Sequence, residues 1–117
     1  MVLRAISWYK RFMVYVRFYS DRFGNRIELT PERWAHVLSR HPELSAWQHL
    51  LGEALEAPEV VTRSIYDSHV RLYYRYFSHV LGGKRLVVVV QLNRRNLILT
   101  AYVTTRRVGG TRLWPAD

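Results

Sequence analysis

Histidine is the side chain best suited to proton transfer near neutral pH, so the five histidines of this chain are read first. His41 closes the series Trp34, Val37, Leu38, His41, spaced i, i+3, i+4 and i+7 on one helix face. It reads either as an acid–base group at a helix end or as a satisfied core histidine. His36 falls off that stripe, near Arg33 and Arg40, and reads either as the acid–base group or as part of a solvated helix face. His49, His69 and His79 read as ordinary helix-surface, turn and loop residues, and Asp67 as a turn residue. The histidines show no metal-ligand spacing, and the cysteines that the commonest zinc sites need are absent. No Ser-His-Asp pattern, phosphate-cradling glycine loop or carboxylate pair stands out. Neither a metal nor a small-molecule cofactor is expected.

Arginine carries the second chemical signal. Net charge is +9, and every basic residue except Lys10 and Lys84 is an arginine. Residues 28–67 hold seven of the nine acids, Glu28, Glu32, Glu43, Glu53, Glu56, Glu59 and Asp67, against three arginines. Residues 68–116 hold nine bases and no acid. The guanidinium group offers a flat donor fork that matches phosphate and stacks on aromatic rings. A one-sided arginine field is the footprint of a phosphate-backbone binder, so the expected partner is a polyanion, RNA first. A thermostable arginine-rich surface is the competing reading, but it normally carries matching acids.

A chain of 117 residues, 49% apolar, makes one domain, 1–117, able to bury its own core. The lack of cysteine excludes a disulfide framework and fits a reducing, cytoplasmic setting. Met1 to Val16 is apolar in patches, but Arg4, Lys10 and Arg11 interrupt it, so neither a signal peptide nor a membrane span is expected.

These residues need elements to position them. Arg11 to Tyr19 reads as a strand, Asp21 to Asn25 as a turn, and Arg26 to Leu29 as a second strand. Thr30-Pro31 opens a helix that Pro42 ends, and a second helix runs from near Ser45 to Pro58. From Glu59 the period becomes two, with strands at Glu59 to Tyr66, Val70 to Phe77, Arg85 to Leu92 and Leu97 to Thr105. Their short links predict an antiparallel meander, and the run Leu86 to Val90 makes its strand central. The fold class is therefore α+β, order β-β-α-α-β-β-β-β, with two helices on one face of a twisted antiparallel sheet.

Alternation sorts the strand residues between faces. Leu72, Tyr74 and Tyr76 point one way, and Arg71, Tyr73, Arg75 and Phe77 the other. On the last strand Leu97, Leu99, Ala101 and Val103 form an apolar set, which is expected under the helices. Ile98, Thr100, Tyr102 and Thr104 then share the free face, and the arginine–tyrosine set of the other strand is placed with them. Such a face suits RNA, with phosphates on guanidinium groups and unstacked bases on tyrosine rings. A second small core under a loop is the alternative for any single tyrosine.

The stretch Trp34 to Leu44, then Ala54 to Val61, Arg71 to Tyr74 and Ile98 to Tyr102 together resemble a phage-type nuclease family of the barnase–EndoU–colicin–RelE-like superfamily. The resemblance spans roughly residues 26 to 114. It implies a RelE-like fold and a metal-independent endoribonuclease, phage-derived or the toxin of a toxin–antitoxin pair, with a small acidic antitoxin as partner. Carried over by position, it implies catalytic roles for His36, His41, Arg71, Tyr73, Thr100 and Tyr102, with His41 or His36 as the acid–base group. Arg63, Arg75, Arg85, Arg106 and Arg107 are expected to contact RNA. A non-catalytic RNA- or DNA-binding module using the same basic face is the alternative.

Overall fold

Asp21 builds the first turn of the described chain, residues 16–116 of a computed structural model. Its Oδ1 accepts from the backbone N–H of Phe23 (2.9 Å) and Asn25 (2.7 Å), and its Oδ2 from the Asn25 side chain (2.9 Å). That Asx-type closure joins β1 (Arg17–Ser20) to β2 (Arg26–Leu29), registered from Arg17↔Leu29 to Ser20↔Arg26. Residues 11–15 of the expected first strand lie outside the described residues, as does most of the patchily apolar N-terminus.

Thr30 caps α1 (Pro31–Arg40), its Oγ1 accepting from the Arg33 N–H at 3.2 Å, with proline at the first helical position. The helix stops before Pro42, and His41 is its C-terminal cap rather than a residue of its buried stripe. A single 3₁₀ turn, Pro42–Leu44, intervenes. Helix α2 (Gln48–Glu56) therefore begins later than Ser45, and buries Leu50, Leu51, Ala54 and Leu55. Gly52 leaves room for the close contact: a Cβ there would lie 2.7 Å from Cδ1 of Tyr19, so a larger residue would have to push that ring away from α2.

The remaining elements are β3 (Val60–Arg63), β4 (Val70–Tyr76), β5 (Arg85–Leu92), β6 (Asn96–Thr104) and β7 (Thr111–Trp114). They join β1 and β2 in one mostly antiparallel seven-stranded sheet, order β1-β2-β6-β5-β4-β3-β7, with β5 at its centre. Two differences from the sequence reading have clear causes. β7 is a seventh strand, one more than the six of the expected order. Its four residues show little alternation and become a strand by pairing with the free edge of β3. β2 and β6 run parallel through one pair, Glu28↔Leu97, because two helices and the whole meander separate them in the chain.

Both helices and the sheet contribute to one core, which includes Val37, Leu51, Leu55, Val61, Tyr73, Leu86, Val88, Val90, Ile98 and Ala101. Full burial of each valine, leucine or isoleucine side chain there contributes about 1.5–3 kcal/mol. The register Tyr73↔Val88↔Ala101 places Tyr73, fully buried, on this covered side. The expectation that Arg71, Tyr73 and Arg75 share the free face with Thr100 and Tyr102 is thereby overturned. Arg71 and Arg75 share the covered side of β4 with Tyr73 despite their charge. They flank Tyr73 near the strand ends, where their guanidinium groups lie over Phe23 (5.4 Å) and Phe77 (5.1 Å) while their stems stay on the covered side. A bulge in β6 makes the second correction: Val89 faces Thr100 but Val90 faces Ile98, which turns Ile98 into the core.

Candidate nucleic-acid interface

The side of the sheet away from that core carries three cross-strand rows. Leu72, Val89 and Thr100 form the first, Tyr74, Val87 and Tyr102 the second, and Tyr76, Arg85 and Thr104 the third. Val87 is fully buried between its two tyrosines, and Tyr74 is only 4% exposed. Burial raises the pKa of the Tyr102 phenol, with neighbouring Tyr74 adding to the effect, so Tyr102 stays protonated and able to donate at neutral pH.

The chain from β6 to β7 makes this side into a cleft. β6 lies third from one edge of the sheet and β7 forms the other edge, so residues 105–110 must pass across β5, β4 and β3. Thr104 Oγ1 accepts from the Arg106 N–H (3.0 Å) and fixes the departure. The Gly109 N–H then donates to the Tyr74 hydroxyl (3.3 Å). Gly110, at φ +85°, presses onto β3 so closely that a Cβ would meet the Arg63 carbonyl oxygen at 2.5 Å. The result is a cleft of about 690 Å³ with Leu72, Tyr74 and Tyr102 inside, Arg106 and Arg107 on one wall, and the β3–β4 turn residues Ser64, Ile65 and Tyr66 on another.

His41 reaches the cleft through Tyr102. Because β2 meets β6 at one pair only, the rest of that β6 edge is left to α1, and Arg33 Nη1 donates to the Leu99 carbonyl (3.4 Å). The cap of α1 then sets the His41 ring 6.2 Å from the Tyr102 ring, inclined by 37°. His41 Nδ1 is 3.5 Å from Glu43 Oε1, and the side chain is 32% exposed. His41 is therefore a partly exposed neighbour of Tyr102 and not a core residue, and it is not among the residues that line the cleft.

Of the residues singled out by sequence, the structure brings together His41, Tyr102, Arg106 and Arg107, with Thr100 one row away and Arg85 beside a second hollow formed with Tyr76 and Thr104. It separates the others. His36 is half-buried on α1, and no described residue bonds to or stacks on its ring. The Tyr73 hydroxyl is committed to Asp21, and Arg75 Nη1 donates to the Ala57 carbonyl (2.8 Å), both away from the cleft. Arg71 is likewise on the covered side, and Arg63 is exposed at the end of β3, opposite Arg71 and Thr111. Sequence reasoning missed Tyr74 and Tyr66. The sequence reads Tyr66 as the end of a strand that in fact stops at Arg63, so its place in an exposed turn had no signal in the sequence.

Among the described residues, no three His, Asp or Glu side chains gather as metal ligands, and no helix is long and apolar enough to cross a membrane. No family model, curated protein or solved structure matches the chain.

Proposed function

We propose that the chain is a metal-independent endoribonuclease of the barnase–EndoU–colicin–RelE-like kind, binding RNA in the arginine-walled cleft and cleaving it at the His41 edge. One observation carries the reading: Tyr102 both lines the cleft and lies against His41. RNA phosphates pair with Arg106 and Arg107. His41 takes the proton of a 2′-hydroxyl, whose oxygen attacks the adjacent phosphorus. The bond to the 5′-oxygen breaks as Tyr102 donates its proton to that leaving oxygen, and the His41 imidazolium then reprotonates the phenolate. The products are a 2′,3′-cyclic phosphate and a free 5′-hydroxyl. Such an enzyme acts in the cytoplasm, and as a toxin it would be neutralised by a small acidic protein.

The test is incubation of purified protein with structured and single-stranded RNA in EDTA, followed by analysis of the product ends. Cyclic or 3′-phosphate ends are expected. RNA that is retarded but intact supports the second reading, a non-catalytic RNA-binding module. That reading is favoured by one feature: the residues lining the cleft include no histidine or carboxylate, and His41 stands beside them. RNA that is neither bound nor cut rules out both.

A further inference from the structure

We infer that the β3–β4 turn is a base-stacking post and that the cleft selects unpaired RNA, with one base lying on Tyr66; this rests on the RNA-binding reading of the cleft. Tyr66 is 93% exposed and Ile65 70%, whereas the other exposed large apolar residues among those described, Val16, Phe18, Phe23 and Tyr76, lie between 42% and 48%. Two of those four are covered by cations: Arg26 sits 3.9 Å over Phe18, and Arg71 5.4 Å over Phe23. No described residue stacks on Tyr66. Turns favour glycine, asparagine, aspartate and serine, so turn formation does not account for an isoleucine and a tyrosine here.

The backbone beneath them is well held. Ser64 Oγ accepts from the Tyr66 N–H (3.1 Å) and Asp67 Oδ1 from the His69 N–H (2.9 Å). The Ser64 N–H donates to the Val70 carbonyl (2.9 Å) and the Val70 N–H to the Asp67 carbonyl (3.1 Å). With the backbone already ordered, covering the ring costs only the side chain's own rotamer freedom. Tyr66 shares the cleft with Arg106 and Arg107, so a phosphate on the arginines leaves its attached base within the same space.

The occupant follows from the chemistry. A base inside a duplex has both faces covered by its neighbours, and only an unpaired base offers a free π-face to an aromatic side chain. The cleft, about 690 Å³, has room for a nucleotide base beside Tyr66.

The experiment is a fluorescence titration with single-stranded RNA carrying 2-aminopurine, set against a fully paired RNA of equal length, for the wild type, Tyr66→Ala, Tyr66→Phe and Arg106→Gln. The wild type should prefer the single strand by tenfold or more and quench the probe on binding. Tyr66→Ala should weaken single-strand binding about tenfold and abolish the quench, while Tyr66→Phe keeps both. Tyr66→Ala should unfold at the wild-type temperature, since it removes only exposed surface. Equal affinity for duplex, or an unquenched probe on the wild type, overturns the inference. If Tyr66→Ala binds normally while Arg106→Gln binds weakly, stacking fails and the RNA reading survives. If the wild type binds no RNA, both fail.

Discussion

The Tyr73 phenol donates a 2.5 Å hydrogen bond to Asp21 Oδ2, tying β4 to the β1–β2 turn across 52 positions of sequence. Asp21 is itself buried and already accepts from Phe23 and Asn25, so the carboxylate that shapes the first hairpin is locked to the sheet from its covered side. Tyr73→Phe removes one donor from a buried carboxylate and should cost about 1–3 kcal/mol of stability. RNA binding should be unchanged, because Tyr73 lies on the face opposite the cleft. Urea unfolding and RNA titration check the two halves. A variant of normal stability that had lost cleavage would return Tyr73 to the chemistry.

The same bond sets an alkaline limit. Burial, and then the Asp21 carboxylate, push the Tyr73 phenol well above its ordinary value of 10.0. In the unfolded chain the phenol loses its proton near that ordinary value, while in the folded protein it stays protonated to higher pH. Above about pH 10 the unfolded state therefore binds fewer protons, and stability falls as pH rises. Below that pH the contribution is fully present. Urea unfolding between pH 9 and 11.5 should show a decline whose slope is shallower in Tyr73→Phe, by at most about 1.4 kcal/mol per pH unit. Tyr19 and Tyr102, also raised by burial, leave a residual slope in the variant.

Local chemistry made most of the fold legible in sequence. Thr30-Pro31, Pro42 and Pro58 punctuate the helices through backbone rules that hold whatever the tertiary context. The switch to period two marks β3 to β6, but not which face of each strand is covered. That depends on register between strands and on one bulge at Val89/Val90, neither of which has a local signature. Alternation puts Thr100 and Tyr102 on the free face and groups Tyr73 with Arg71 and Arg75, but it cannot tell which side of β4 the helices cover. The Tyr102–His41 pairing could not be read from alternation. It arises because α1 takes the β6 edge that β2 leaves unpaired.

His41→Ala should separate binding from cleavage. If His41 is the acid–base group, cleavage falls by about 10²–10⁴-fold while single-strand affinity stays within experimental error. Tyr102→Phe keeps the ring beside His41 and removes only the donor, so it should lower the cleavage rate with little change in binding. His36→Ala should cleave normally. Single-turnover assays on one labelled RNA, with affinity measured in parallel, rank the three. Loss of activity in His36→Ala and not in His41→Ala would reverse the assignment.

Arg106 and Arg107 are assigned to the phosphate backbone, and salt dependence measures such contacts directly. Each phosphate contact with a single strand contributes about −0.7 to the slope of log K against log salt. Arg106→Gln with Arg107→Gln should flatten that slope by about 1.4 and weaken binding at low salt most. Arg75→Gln, whose guanidinium is held by the Ala57 carbonyl on the covered side, should leave the slope unchanged. A slope insensitive to the double change would place the RNA elsewhere.

Two adjacent glycines should behave in opposite ways, and the contrast tests whether the β6–β7 chain shapes the cleft. Gly110 has φ +85°, and a Cβ there would lie 2.5 Å from the Arg63 carbonyl oxygen and 3.0 Å from Thr62 Oγ1. The clash is with backbone, which cannot rotate away. Gly110→Ala should therefore cost about 1–3 kcal/mol, or lift the chain off β3. Lifting it would break the Gly109–Tyr74 hydrogen bond and move Arg106 and Arg107 away from Tyr66. At Gly109 a Cβ meets nothing within 4 Å, and Gly109→Ala keeps the N–H that reaches Tyr74. It should be neutral, or stabilising by up to about 1 kcal/mol through reduced freedom of the unfolded chain. Thermal unfolding and RNA affinity of the two variants settle the matter. Equal, harmless effects would mean that the loop does not rest on β3 and that the cleft is not built as described.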